Sequence, residues 1–499
     1  MIVMMYHSTR NGSVQVTAAQ AIAHGISEEG GLFVPETIPT ITLQDIESLS
    51  TRSYVERAVF VLSRFLGDFT MDEVRDCAES AYTTERFSSE HPAPVTYLKD
   101  HTAVLELWHG PTCAFKDMAL QILPHFMRVA AKKTSDGKEI VILVATSGDT
   151  GKAALEGFRD APATRILVFY PENGVSPMQK LQMTTQEGNN VGVCAIRGNF
   201  DDAQTGVKTI FTDPSIKAKL AEQGQQFSSA NSINWGRLLP QIVYYISAYC
   251  DMVQNGRIKL GDAINVVVPT GNFGNILAAY YAREMGLPIA KMVCASNCNN
   301  VLTEFLTTGT YDRNRAFHAT VSPSMDILIS SNLERLLYHM TGEDSIQLSA
   351  WMKELQQNGR YTVSDEVLQK IKALFAAGWC DDEQTLQEIK RTYEAEQYLC
   401  DTHTAVAMHV YREYKKQTGD TTPTVVVSTA NPYKFSASVL EAFDVKIDEA
   451  DPFAGVEALY SYTGCPVPQP LATLRGKKPR FTGVCDRDTM EQAVFELLG

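Results

Sequence analysis

The sequence predicts an α/β protein built on parallel sheets with helices on both faces. Three observations carry this. Six short runs, at 140–145, 165–170, 191–196, 264–268, 291–295 and 424–427, are apolar or β-branched with little alternation; strands buried on both faces read this way. Segments with apolar residues at three- and four-residue spacing separate them, and such alternation of strand and helix marks parallel sheets. Three of the strands are followed by loops rich in Gly, Ser, Thr and Asn, at 146–151, 270–275 and 428–431. In open α/β sheets, ligands bind beyond the carboxyl ends of the strands.

The chain has 499 residues, enough for two or three domains of roughly 150 residues each. Its 44% hydrophobic and 20% charged content is globular. A net charge of −14 opposes broad contact with nucleic acid or anionic membrane. It leaves room for a local basic pocket that takes a phosphorylated small molecule. The ten Cys are scattered, with no CxxC pair. We expect reduced thiols, no metal site and a cytoplasmic protein. Residues 1–10 lack the features of a signal peptide, and no apolar run is long enough to cross a bilayer.

Taken in order, residues 1–95 read as a mostly helical region, with helical periodicity at 17–23, 54–66 and 71–82. Asp72 and Glu73 suit a first helical turn. Residues 96–255 form the first expected α/β domain. Residues 256–499 form the second, with a helical insertion at about 300–400 that includes helices over 365–377 and 381–399. The last strand is followed by a helix over 435–443, and the tail ends in one over 489–498.

Residues 107–121 read LWHGPTCAFKDMALQ. Gly110 and Pro111 predict a turn. Phe115, Met118, Ala119, Ile122, Leu123, Phe126, Met127 and Ala130 then line one face of a predicted helix. Lys116 stands at its start beside Asp117. A lysine desolvated there has a lowered pKa and a nucleophilic amine; the alternative is a side chain that snorkels to solvent.

The loop GNFGN at 271–275 lets backbone N–H groups approach a ligand through Gly271 and Gly274, at a helix N-terminus. It suits a phosphate or serves as an ordinary strand–helix turn. The loop at 146–151 ends in Gly-Lys like a nucleotide-binding P-loop, but Thr146 stands where glycine is needed and Ala153 where a magnesium-binding hydroxyl is needed. Ser428 and Thr429 offer hydroxyls at a third strand end, either to cap a helix or to face a ligand heteroatom. A lysine, a phosphate cradle and a hydroxyl together suggest pyridoxal phosphate, with Lys116 on its aldehyde and Thr429 at its ring nitrogen.

The segment HGPTCAFKD at 109–117 resembles the cofactor-lysine motif of the threonine synthase family, pyridoxal-phosphate enzymes of fold type II (tryptophan synthase β-like). The resemblance continues through YHSTR at 6–10, ATSGDTG at 145–151, SPMQK at 176–180, GNFDD at 198–202 and NSINWGRLLPQ at 231–241. GNFGN at 271–275, SPSMD at 322–326, SSNLER at 330–335 and STANPYKF at 428–435 complete it. It resembles the longer form of the family. It implies two parallel-sheet α/β domains with the cofactor between them. It implies that Lys116 binds the cofactor and shuttles protons, that Gly271, Asn272, Phe273, Gly274 and Asn275 hold the cofactor phosphate, and that Asp149 and Thr429 meet the ring. Ser147 and Thr150 would hold the substrate carboxylate, and Arg10, Asn234 and Arg237 the substrate phosphate. The implied activity is that of a carbon–oxygen lyase converting O-phospho-L-homoserine and water to L-threonine and phosphate. Another fold type II enzyme, such as a serine/threonine dehydratase, and a non-catalytic binder of phosphorylated ligands stay open as alternatives, as does the oligomeric state.

Overall fold

The structure, a computed structural model, describes residues 4–89, 91–134, 138–146, 148–447, 451 and 453–499, with Asp201 described by its backbone alone. Two open sheets form its frame. The larger runs Phe375–Trp379, Ile289–Ser296, Ile264–Pro269, Thr424–Ser428, Ala103–Glu106 and Val95–Tyr97, parallel except for its last pair. The smaller runs Val484–Asp486, Val191–Arg197, Thr164–Pro171, Glu139–Ala145 and Gln225–Ser228, parallel throughout. All six predicted strands are present. Ile264–Pro269 is buried at every position, as expected for a strand covered on both faces.

The chain crosses between the sheets more often than a division into 96–255 and 256–499 implies. Val95–Tyr97 and Ala103–Glu106 join the larger sheet, and Val484–Asp486 near the C-terminus joins the smaller. Neighbours in parallel sheets need not be neighbours in sequence, because every connection is a crossover.

One expectation of helix is corrected, and one region holds strands beside its helices. The N-terminal region has its three predicted helices, Ala18–His24, Tyr54–Phe65 and Met71–Ala81, the last two capped by Ser53 and Thr70 through reciprocal capping boxes. It also holds a three-stranded antiparallel sheet of Asn11–Thr17, Met5–Ser8 and Phe33–Pro35. These strands are short and carry many polar residues, so their period is weak. In the insertion, the helix Asp365–Leu374 stops short of residue 377, and Phe375–Trp379 becomes the edge strand of the larger sheet. Gly378 breaks the helical pattern there and lies where a Cβ would come within 2.9 Å of Val410.

The helix Trp235–Gln254 runs through the core and is buried on all sides from Trp235 to Cys250. Trp235 meets the rings of Tyr6, Phe65 and Tyr281 at 5.4–5.6 Å. The N-terminal region is thereby tied to both the site and the larger sheet. Among the described residues, no helix is long and apolar enough to cross a membrane. None of the ten cysteines is in a disulfide, and no group of three or more His, Cys, Asp or Glu among the described residues is placed to hold a metal ion.

Candidate active site

Lys116 lies at the N-terminal cap of a helix, as predicted, but the helix is short. Asp117–Leu120 ends at Gln121, and a second helix, Leu123–Thr134, follows. Pro124 explains the break. It has no N–H to donate, and its ring clashes with the carbonyl four residues earlier, that of Leu120. The Leu120 carbonyl instead faces Gly157, where a Cβ would lie 2.0 Å from its oxygen.

Two sets of contacts fix the turn before Lys116. Asp117 reaches back to accept from the Thr112 N–H and hydroxyl, both at 2.8 Å. Gly110 must be glycine for this, since a Cβ would come within 2.5 Å of the Asp117 carboxylate. The second set comes from the strand end at Ser428. Leu107 N–H donates to Ser428 O at 3.0 Å, Phe115 N–H to Thr429 O at 2.8 Å, and Asn431 N–H to the Cys113 carbonyl at 3.0 Å. Lys116 and Thr429 are thus held by one backbone lattice.

Lys116 and Thr429 line a cavity of about 1970 Å³, together with Thr146, Asp149, Thr150, Arg237 and all of Gly271 to Asn275. Lys116 is 9% exposed, and its ammonium sits 3.8 Å from Asp149 and 4.9 Å from the centre of the Phe115 ring. Burial is the main cause that brings its pKa down to about 8, against the attraction of Asp149. Asp149 opens the helix Asp149–Phe158, so the loop at 146–151 is half helical. Burial opposes ionisation of Asp149, yet Lys434 and Lys116 hold its carboxyl well below the usual carboxylate range. Gln179 also donates to it at 3.0 Å.

The phosphate-type loop has the expected form. Phe273 adopts a left-handed conformation with φ of 63° and caps the helix Gly274–Glu284. The Gly271 and Asn272 carbonyls point away from the loop to Ser330 and Asn332, at 2.8 and 3.1 Å. Among the described residues, nothing accepts from the N–H groups of Gly271, Asn272, Phe273 or Gly274. Those N–H groups and the positive end of the helix dipole make a ready anion cradle. A Cβ at Gly271 would come within 2.7 Å of Ser324 O. Asn275 accepts from Tyr244 and Tyr245, each at 2.6 Å, and its buried Nδ2 has no partner among the described residues.

The candidates for an anionic substrate separate. Arg237 lines the cavity, is 5% exposed, and donates to Ala230 O at 3.0 Å. Among the described residues no carboxylate pairs with it, and burial lowers its pKa to about 10. Arg10 does not line the cavity; its guanidinium grips both oxygens of Glu334, at 2.9 and 2.7 Å. Asn234 does not line it either. It caps the helix Trp235–Gln254, accepting from Gly236 N–H at 2.8 Å and donating to Ile22 O and Ser229 O. Ser147 lies outside the described residues.

Sequence reasoning missed two groups. Lys434, fully buried, pairs with Asp149 at 2.7 Å and donates to Thr112 O at 2.8 Å. His403 also lines the cavity, with Asp401 at 2.7 Å on Nδ1 and the Ser324 N–H donating to Nε2 at 3.1 Å. The only available signal for Lys434 was the apolar company of a lysine in the segment 430–435.

Residues 5–82 match the model of the threonine synthase N terminus, 84–430 that of pyridoxal-phosphate-dependent enzymes, and 404–494 that of the threonine synthase C-terminal region. The chain belongs to the threonine synthase family. It is 37% identical over 465 residues to threonine synthase of Schizosaccharomyces pombe, covering 87% of this chain and 88% of that one. Its fold superposes on the pyridoxal-phosphate-bound threonine synthase of Brucella melitensis with a TM-score of 0.87 and 36% identity, over 99% of both chains. It is also 40% identical over 458 residues to a human family member named threonine synthase-like 1, covering 90% of this chain. The chain spans about 61% of that longer relative's length.

Proposed function

We propose that the chain is a threonine synthase: a pyridoxal-phosphate-dependent lyase that converts O-phospho-L-homoserine and water into L-threonine and phosphate. The observation that carries this reading is a buried, partly neutral amine, Lys116, in one cavity with an anion cradle and a carboxylate-free arginine. Family membership supports the same reading.

The residues present fit pyridoxal phosphate. The acceptor-free N–H groups of Gly271 to Gly274 suit its phosphate, the Lys116 amine its aldehyde, and the Thr429 hydroxyl its ring nitrogen, with Asp149 beside the ring. A single-ligand pocket measures roughly 300–1,000 Å³, so this cavity has room for cofactor and substrate together. The bound cofactor would supply an electron sink for charge developing on the substrate carbons.

The chain's own residues would do the rest. With a pKa of about 8, about a tenth of the Lys116 amine is neutral at pH 7, against a few parts in ten thousand for an ordinary lysine. Its Nζ would take the proton from Cα, return that proton to the cofactor-bound substrate and, neutral again, take one from Cβ, serving as a base within reach of both. Arg237 would hold the substrate phosphate as it leaves Cγ. Thr150 and Ser147 would hold the substrate carboxylate. Burial of the Lys116 wall would exclude bulk water until one water adds at Cβ. The unbonded, scattered cysteines suit a reducing compartment, and we propose a cytoplasmic location.

The test is turnover of O-phospho-L-homoserine by the purified chain supplied with pyridoxal phosphate. The reading predicts threonine and inorganic phosphate in equal amounts. Deamination of threonine without phosphate release would replace it with a dehydratase reading, and cofactor binding without either reaction would replace it with a non-catalytic one.

A further inference from the structure

Three buried groups of opposite charge meet beside the cavity: Lys116, Asp149 and Lys434. Asp149 stands between the lysines, with Oδ1 2.7 Å from Lys434 and Oδ2 3.8 Å from Lys116. The side chains are 3%, 10% and 0% exposed for Asp149, Lys116 and Lys434. Water therefore screens little of their interaction.

The partition is unequal. The shorter contact, with charge-assisted hydrogen-bond geometry, belongs to Lys434. Lys434 also donates to Thr112 O, and its backbone N–H donates to Asn431 O. Its segment, 428–434, is the one that already holds Phe115 and Cys113. Lys434 is thus pinned from the larger sheet while it binds the first residue of a helix on the smaller one.

We propose that Lys434 is a positioning residue that keeps the Lys116 amine available by neutralising Asp149. The inference rests on Lys116 being the working amine of the proposed function. With Lys434 in place, Asp149 is already compensated, and a second buried positive charge on Lys116 has no anion of its own. Without Lys434, the Asp149 carboxylate would have, among the described residues, only Lys116 as a cationic neighbour within 4 Å, and Lys116 would hold its proton to higher pH. The other charged groups around Lys116 are Arg237, which opposes protonation, and Asp117, which favours it from the adjacent position; Cys113, whose thiol burial pushes up to about 12, faces Lys434.

Competitive acetylation of the full-length chain, without cofactor, tests this. Acetic anhydride labels only neutral amines, and peptide mass spectrometry reports the Lys116 midpoint against pH. Neither cofactor nor substrate is needed, so failure here is distinguishable from failure of the functional reading. In Lys434→Gln the Lys116 midpoint should rise, and labelling at pH 6, well below the midpoint, should fall about tenfold for each unit of rise. In the double variant Lys434→Met with Asp149→Asn it should fall below that of the unmodified chain, because the stronger attraction is removed along with the weaker repulsion. These opposite shifts are not produced by loosened packing, which would expose Lys116 and raise its midpoint in both. A folded Lys434→Gln protein with an unchanged or lowered midpoint would overturn the proposal. Should that variant fail to fold, a double variant whose midpoint stays at or above that of the unmodified chain overturns it equally.

Discussion

Arg57 contacts the long helix Trp235–Gln254 near its C-terminal end and Arg237 belongs to its first turn, and both are almost fully buried. At the C-terminal end, the Arg57 guanidinium donates to Leu49 O, Ser50 O, Ser247 O, Ser247 Oγ and Asp251, the last at 2.6 Å. At the N-terminal end, Arg237 donates to Ala230 O and has no acidic partner among the described residues. Burial is the same, and the hydrogen bonding differs. A buried guanidinium is retained only if something compensates it. Arg57 finds its compensation inside the protein and acts as a fastening between helices. Arg237 keeps donors facing a cavity and is suited to an anion from outside.

The largest expected effect on function lies at the Lys116 amine, which shares its cavity with Arg237. Lys116→Ala removes the only proposed base, and turnover should fall at least on the order of 10²–10⁴-fold, the range for a general base. Steady-state assays with the cofactor present check it. The two arginines should then part. Arg57→Ala breaks a buried pair and strands Asp251, so unfolding in denaturant should show a loss of about 3–5 kcal/mol, with KM for the substrate unchanged in the folded protein. Arg237→Gln should cost about 1 kcal/mol of stability or less, the value of one hydrogen bond. It should lower kcat/KM about tenfold or more, mainly through KM. If Arg237→Gln destabilises the fold as much as Arg57→Ala does, the comparison fails.

A pH series sharpens the same contrast. Because burial lowers the Lys116 pKa to about 8, the working neutral amine is lost as pH falls below that value. Substrate binding is what frees this amine from the cofactor in the proposed function, so kcat should rise with pH to a plateau above about 8. The smallest effect belongs to Asn234, which the sequence grouped with Arg237. Asn234→Ala should cost about 0.5–2 kcal/mol of stability as the loss of a helix cap, with kcat/KM unchanged, as thermal unfolding and kinetics can show.

These contrasts also mark what the sequence could reveal. Buried parallel strands were legible because burial on both faces leaves an uninterrupted apolar run, as in Ile264–Pro269. The loop around Gly271 was legible because its geometry is local: a strand end, two glycines and a helix start. Pairings were not. Arg10 looked like an anion ligand because its partner, Glu334, lies 324 residues away. Asn234 looked like a ligand too, although Asn is also a common helix cap. The ion pair of Lys434 with Asp149 joins two sheets, and no periodicity records a contact between them. The break after Leu120 was written in Pro124, but the apolar spacing on either side of it masked the signal.

Among the described residues three lysines are buried, Lys116, Lys152 and Lys434, and the account assigns the cofactor to the first alone. Saturating the chain with pyridoxal phosphate, reducing it with borohydride and mapping the modified peptide by mass spectrometry tests this directly. The account predicts one stoichiometric modification, at Lys116. Modification at Lys434 or Lys152, or no stoichiometric modification at all, would contradict it.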